Sequence, residues 1–441
     1  MKKLDALLVA VAMAVYVCSF GFVSCGDDDG EGGKVAYDPS KPVVLTSFHP
    51  DSGGIASKII FDGENFGTDP SMIKVYFNQK QAPVIGSSGK RMYAVVPRLP
   101  GDTCTISVVV GNDSAVYDHK FRYKVTVSVS TIAGNGTGTF STDGTLEGTT
   151  LKPRFLCVDK DDNLFVTLNE GSAFGMLKIN EVENSVVSLA LGNSGNVMNP
   201  QPPCADKVTG TITSANDNAA GVYYTFDPKE GWGMRIRSWT WKDPTDLPVN
   251  TWKKAMAYCQ LDSCIYVQHR NGHLVKINPK TRVGEVIYKI GEGDSYGLAF
   301  HPHQPNMLYF SYTSGSGVNS HAICCMDIND PEGTFRRLNS SSSPGHRDGD
   351  IATAQFNNPY QIYFDEEAYL YIADMNNHCI RRLSPDNIVE TVLGIPGQSG
   401  SIDGGKDEAL FNQPTGLGIA SDGSIYVAEW AGNRIRKLSI E

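Results

Sequence analysis

Near the C-terminus one unit is written twice, and that duplication limits what the whole chain can fold into. From Phe356 the chain reads FNNPYQIYFDEEAYLYIADMNNHCIRRLSPDNIVETVLG; from Phe411 it reads FNQPTGLGIASDGSIYVAEWAGNRIRKLS. Each copy parses as short strands: an apolar run after Pro359 or Pro414, a polar turn, and a β-rich run ending in Asp374 or Glu429. A third strand follows a tight turn (379–383, 434–438), and the first copy adds a fourth (388–393). Repeats of this length with four strands each are the pattern of a β-propeller. The second copy lacks its fourth strand, and a matching one stands upstream: VTVSVSTIAG at 125–134 is followed by TDGTLEGTTLKPRFLCVD, much as IVETVLG is followed by SIDGGKDEALFNQPTGLGIA. Pairing the orphan strand with the incomplete unit closes a ring and leaves no sheet edge open.

Between these ends the same grammar recurs in degenerate form. The first unit covers 154–191. The second is the most divergent, with strands at 208–213, 222–227 and 233–240. The third has strands at 255–259, 265–269, 274–278 and 284–290; the fourth has them at 297–301, 308–312, 322–327 and 334–338. With the two copies that makes six blades over 125–441. The final two units resemble NHL repeats, through Tyr371-Ile372-Ala373-Asp374, Asn377-His378-Cys379-Ile380-Arg381, Tyr426-Val427-Ala428-Glu429 and Gly432-Asn433-Arg434-Ile435-Arg436. The middle units match only in pattern.

Residues 42–124 have a different texture, alternating strands broken by Gly, Pro and Asn. The run His49-Pro50-Asp51-Ser52-Gly53-Gly54, then Gly63-Glu64-Asn65-Phe66-Gly67, Val75-Tyr76-Phe77, Val96-Pro97 and Phe121-Arg122-Tyr123 resembles an IPT/TIG domain, which implies an immunoglobulin-like sandwich. Asn65 and Gly67 suit a turn needing positive φ, with Phe66 as its core anchor. The expected class is therefore all-β: an N-terminal IPT/TIG sandwich followed by a six-bladed NHL-type β-propeller.

The N-terminus reads as an export leader. Lys2 and Lys3 precede an apolar run at 7–17 and small residues to 24, too short and wrongly flanked for a spanning helix. The end of this leader, Phe22-Val23-Ser24-Cys25-Gly26, resembles a bacterial lipobox, which implies lipidation of Cys25 and a membrane anchor. Asp27-Asp28-Asp29-Gly30-Glu31 begins an acidic tether over 25–41 and resembles the surface-export signal of Bacteroidetes lipoproteins. An outer-membrane, surface-exposed lipoprotein is the expectation.

The formal net charge of −10 argues against a nucleic-acid partner, because phosphate binding needs a basic footprint. Ten cysteines form no CxxC or Cys/His metal spacing and read as small buried hydrophobes, with a Cys259–Cys264 hairpin disulfide as the alternative.

A propeller binds ligands at a channel mouth, where strand ends and loops converge. Aligned second-strand ends put Leu168, Phe226, His269, Tyr312, Asp374 and Glu429 at one rim. The residues opening the first strands, Arg154, Lys254, Tyr296, Tyr360 and Thr415, fall on the same side, with Trp430 and Met375 just outside. Aromatics mixed with acids, a base and an imidazole can stack on sugar rings and bond hydroxyls. At Asp374 and Glu429 turn capping competes with ligand contact. His378 reads as structural. Arg381, Arg382, Arg434, Arg436 and Lys437 read as solvated outer-blade pairs. His269 with Asp374 and Glu429 is also a donor set for a divalent cation, calcium or zinc. The leading expectation is a non-enzymatic accessory of glycan uptake that binds a carbohydrate or another surface ligand. The alternatives are a metal-dependent propeller hydrolase or lyase, lactonase-like or amidating-lyase-like, and a protein–protein scaffold.

Overall fold

A computed structural model describes residues 35–98, 103–138, 143–170, 173–191, 199–217, 221–245, 247–249 and 251–440. The leader, Cys25 and the acidic run after it lie outside the described residues. The described residues divide into two compact units, one holding those within 35–49, 58–95 and 106–118, the other those within 50–57, 96–105 and 119–440.

The first unit holds two four-stranded sheets. One orders Val44–His49, Lys58–Glu64, Arg91–Val95 and Val84–Ser87; the other orders Asp113–Val116, Ile106–Val110, Ile73–Phe77 and Lys80–Ala82. Alternation along the strands buries Ile59, Phe61, Val75, Phe77, Met92 and Val108. The turn expected at 63–67 forms: Asn65 and Gly67 take φ of 65° and 70°, and Phe66 is buried. Gly63 must lack a side chain, since a Cβ there would stand 2.1 Å from the Val44 carbonyl oxygen.

In the second unit, residues 127–440 form six small sheets, numbered here in chain order of their first strands. The first is Pro153–Val158, Leu164–Glu170, Ala173–Asn180 and Ser185–Leu191. The second is Cys204–Ala205, Ile212–Ala215, Val222–Phe226 and Met234–Ser238. The third runs Lys253–Cys259, Cys264–His269, His273–Asn278 and Val283–Lys289, with Thr240–Trp241 added in parallel. The fourth runs Gly297–Phe300, Met307–Tyr312, Ala322–Asp327 and Arg336–Arg337. The fifth runs Pro359–Phe364, Leu370–Asp374, Cys379–Leu383 and Ile388–Leu393, edged by Gly349–Asp350. The sixth is Pro414–Ile419, Ile425–Glu429 and Arg434–Ile440, completed by Val127–Ala133 and Gly404–Gly405. Ser128 pairs with Ser439 and Ser130 with Lys437, so the expected seam is present. First strands touch in a cycle, each meeting the next sheet's and the sixth meeting the first. These are propeller-like blades.

The second sheet corrects the sequence reading. Its first strand is only Cys204–Ala205, so the segments expected as first, second and third strands are in fact the second, third and fourth. Phe226 therefore ends a third strand and leaves the rim, and the rim position passes to the residues after Ala215.

Side chains across the axis join sheets that are remote in sequence. Gln361 Oε1 accepts from the Leu156 and Leu417 amides at 2.9 and 3.2 Å, and its Nε2 donates to the Leu156 carbonyl at 3.0 Å. The sixth sheet lies close enough because residue 416 is glycine: a Cβ there would come within 3.1 Å of Leu156 N and 2.7 Å of the Ala428 side chain. The eight described cysteines are free, including the register partners Cys259 and Cys264.

Candidate functional site

One device aims side chains at the mouth where the first strands begin. In the first, third, fifth and sixth sheets the pairing register slips just after that beginning, at Pro153/Phe155, Lys253/Ala255, Pro359/Ile362 and Pro414/Gly416. A bulge re-aims the extra residue. The residues so placed are Arg154, Lys254, Tyr360 with Gln361, and Thr415, while Tyr296 directly precedes Gly297 in the fourth sheet.

These residues meet. Tyr296 and Tyr360 stack at 4.7 Å between centroids and 14° between planes, and Phe155 joins Tyr296 at 5.4 Å. The Arg154 guanidinium lies over Trp430, Phe155 and Tyr296 at 4.9, 5.3 and 5.7 Å. Lys254 Nζ lies 5.3 Å from the Tyr296 ring and 5.4 Å from Trp252, and Arg270 caps Trp252 at 4.8 Å. Two carboxylates complete the group: Lys254 Nζ is 3.3 Å from Asp294 and 3.8 Å from Asp217, and Arg270 is 3.5 Å from Asp294. Thr415 is spent on the fold, donating its hydroxyl to the Arg154 carbonyl at 2.6 Å.

Burial sets the electrostatics. It raises the carboxyl of Asp217, which Lys254 partly offsets. It lowers the neighbouring buried amine of Lys253 to about 7, against the pull of Asp217. It raises the hydroxyls of Tyr296 and Tyr360 to about 12. Among the described residues, three buried amide oxygens in or beside the second and third sheets, Gln201 Oε1, Asn216 Oδ1 and Gln268 Oε1, have no hydrogen-bond partner, while Asp217 Oδ1 and Asp294 Oδ1 face Lys254 and Arg270 as ion pairs without a hydrogen bond. A buried acceptor left without a partner costs about 1–3 kcal/mol.

The second-strand ends align as expected. Leu168, His269, Asp374 and Glu429 pair with Pro153, Lys253, Pro359 and Pro414, and Tyr312 follows the register pair Gly297–Ser311. All five side chains are fully buried, pointing into the blades and away from the mouth. Asp374 accepts from the Asn357 amide, Asn377 Nδ2 and Arg381 at 2.8, 2.8 and 2.9 Å. Glu429 accepts from the Asn412 amide, Ser401 and Arg436 at 3.0, 2.8 and 2.8 Å. Their hydrogen-bonding capacity is taken up inside the fold. Arg381 and Arg436, expected to be solvated, are completely buried; each also holds a second acid, Asp348 or Asp403, and lies over Phe356 or Phe411. His269 is the odd member: both ring nitrogens lack a partner, and burial, with Lys253 nearby, lowers it to about 3. His378 Nδ1 accepts from the Gln413 amide at 3.2 Å.

Of the residues expected to bind, the mouth thus gathers Arg154, Tyr296, Tyr360 and Trp430, but not His269, Tyr312, Asp374 or Glu429. Tyr296 and Tyr360 are covered largely by each other; the more open rings are Trp252 and Trp430. Asp217, Trp252, Arg270 and Asp294 were missed. Trp252, just before the bulged Lys253-Lys254 pair, had a readable counterpart in Trp430. Asp217 was hidden by the shifted strands of the second sheet. Among the described residues no three His, Cys, Asp or Glu side chains are grouped to hold a metal ion, and the acids proposed as ligands with His269 are bound by arginines instead.

Fold and site together define a chain with an immunoglobulin-like sandwich and a propeller-like repeat region bearing a charged, aromatic mouth. Residues 42–123 match the IPT/TIG domain model. A Bacteroides thetaiotaomicron structural-genomics protein of unknown function superposes with a TM-score of 0.78 at 24% identity, covering 92% of this chain and 100% of that one. An auxiliary nutrient binding protein from the same organism gives 0.59 at 24% identity, covering 92% and 99%. NHL repeat-containing protein 2 of Gallus gallus is 26% identical over 168 residues, 37% of this chain and 23% of that protein. The chain thus matches less than a quarter of that curated relative's length. It carries a TIG domain and shares a fold with these Bacteroides proteins, with sequence similarity to NHL-repeat proteins.

Proposed function

We propose that the six sheets close as a six-bladed propeller whose charged mouth binds a carbohydrate, in a lipoprotein anchored through Cys25 at the outer cell surface as an accessory of glycan uptake. The gathering of Lys254, Arg270, Asp217 and Asp294 against the rings of Trp252 and Tyr296 carries this reading. Sugar hydroxyls donate to Asp217, Asp294 and their neighbours and accept from Arg154, Lys254 and Arg270. Trp252 and Trp430 offer faces for the apolar side of a pyranose. The shared fold with an auxiliary nutrient binding protein supports the same reading, as do the lipobox-like leader and acidic tether. Domain limits of 42–124 for the sandwich and 125–441 for the propeller belong to this proposal.

Calorimetric titration of residues 26–441 against a panel of polysaccharides tests it. Saturable heat is expected with at least one of them, weakened about tenfold or more by Trp430→Ala, a loss of about 1.4 kcal/mol. Absence of heat across the panel would overturn the reading. Labelling with a radioactive fatty acid, lost in Cys25→Ala, tests the anchor.

A further inference from the structure

The channel has a second mouth, where the first strands end, and a cavity of 490 Å³ opens there. Met256, Leu298 and Ile362 form its wall, and Tyr258, Phe300 and Phe364 ring its entrance. Tyr296, which stacks with Phe155 and Tyr360, also lines it. A volume within the range of about 300–1,000 Å³ is that of a small-molecule site.

Most charged groups around this cavity are hydrogen-bonded or ion-paired within the fold. Lys160 pairs with Asp161 at 2.7 Å, and Asp162 accepts from the Ser421 amide at 2.7 Å. Lys207 Nζ donates to the Val158 carbonyl at 2.9 Å, and Asp159 accepts from the Asp161 and Asn163 amides. His301 Nδ1 accepts from the His303 and Gln304 amides, Asp365 accepts from Tyr369 N, and Gln361 bridges strands as described above. Glu366 is exposed to solvent. Lys207 and Asp365 are held by backbone groups of the fold, so a guest's charge would have to break those bonds to be paired, and burying it unpaired is costly.

We infer that this cavity is a second binding site, for an uncharged molecule built on an aromatic ring. The inference stands whether or not the first mouth takes saccharide. Aromatic side chains at the entrance can meet such a ring edge-on or offset, while the aliphatic wall covers its faces.

The test uses N-phenyl-1-naphthylamine, uncharged at neutral pH and fluorescent when removed from water, titrated into residues 26–441. One-to-one saturable enhancement is expected. Ala420→Trp, which fills the cavity from its rim, should abolish it, and Phe364→Ala should weaken it about tenfold. Should Ala420→Trp fail to fold, Phe364→Ala, at a half-buried position, decides alone. Dye binding that does not saturate, or is indifferent to the folded variants, overturns the inference.

Discussion

The last two sheets and the third put different chemistry at the same register position. At the end of the second strand the fifth and sixth sheets carry Asp374 and Glu429, each clamped by a buried arginine that also holds Asp348 or Asp403. The third sheet carries His269 there, neutral and without a hydrogen-bond partner. In the first sheet the position is Leu168. Where the unit is repeated faithfully, the position serves packing between strand and loop. Where it departs, the sheet gives up that clamp, and the bulged Lys254 carries charge to the mouth. Regularity in this chain marks scaffold, and irregularity marks the mouth proposed to bind.

Removing a clamp is the hardest blow to this contrast. Arg436→Ala leaves Glu429 buried without a positive charge opposite it and should cost about 3–5 kcal/mol, read as a shift of the denaturant midpoint. Joint replacement of Arg436 and Glu429 by methionine should recover most of that. A loss under 1 kcal/mol would mean the clamp is ornamental.

Next in size is His269→Leu, which installs the first sheet's solution in the third. Deleting two orphan nitrogens should stabilise the fold by about 1 kcal/mol. The imidazole is held neutral down to about pH 3 when folded but takes a proton below about 6.5 when unfolded. It therefore removes stability as pH falls from 6.5 towards 3. The variant should flatten that limb in thermal melts; an unchanged acid limb would contradict the buried, neutral state.

The smallest change in stability belongs to Trp252→Ala. The ring is largely exposed, and its loss should move stability by no more than about 0.5 kcal/mol while weakening any saccharide that Trp430→Ala also weakens. Equal losses of stability and binding would assign the ring to the scaffold.

Much of this architecture was legible. The seam could be read because the orphan strand at 125–134 and the loop after it match their counterparts at 388–393 and beyond. The bulged residues Arg154, Lys254 and Tyr360 were legible as strand openings. The second sheet was not, because a two-residue strand next to Pro202 and Pro203 carries neither length nor alternation to detect. The inward turn of Asp374 and Glu429 was missed for a related reason. Their partners are arginines seven residues on, which composition assigns to solvent. A signal did exist: each buried arginine matches an acid in the loop before its own repeat, Asp348 in RDGD and Asp403 in IDGG.

The pairing of Val127–Ala133 with Arg434–Ile440 also bears on how the molecule comes to be. Strands from opposite ends of the repeat region must find each other, which makes that contact about the most non-local in the chain and places it late in folding. Until it forms, the nascent circle has two raw borders able to recruit a neighbouring molecule. The ring therefore cannot lock before Arg434–Ile440 has been made.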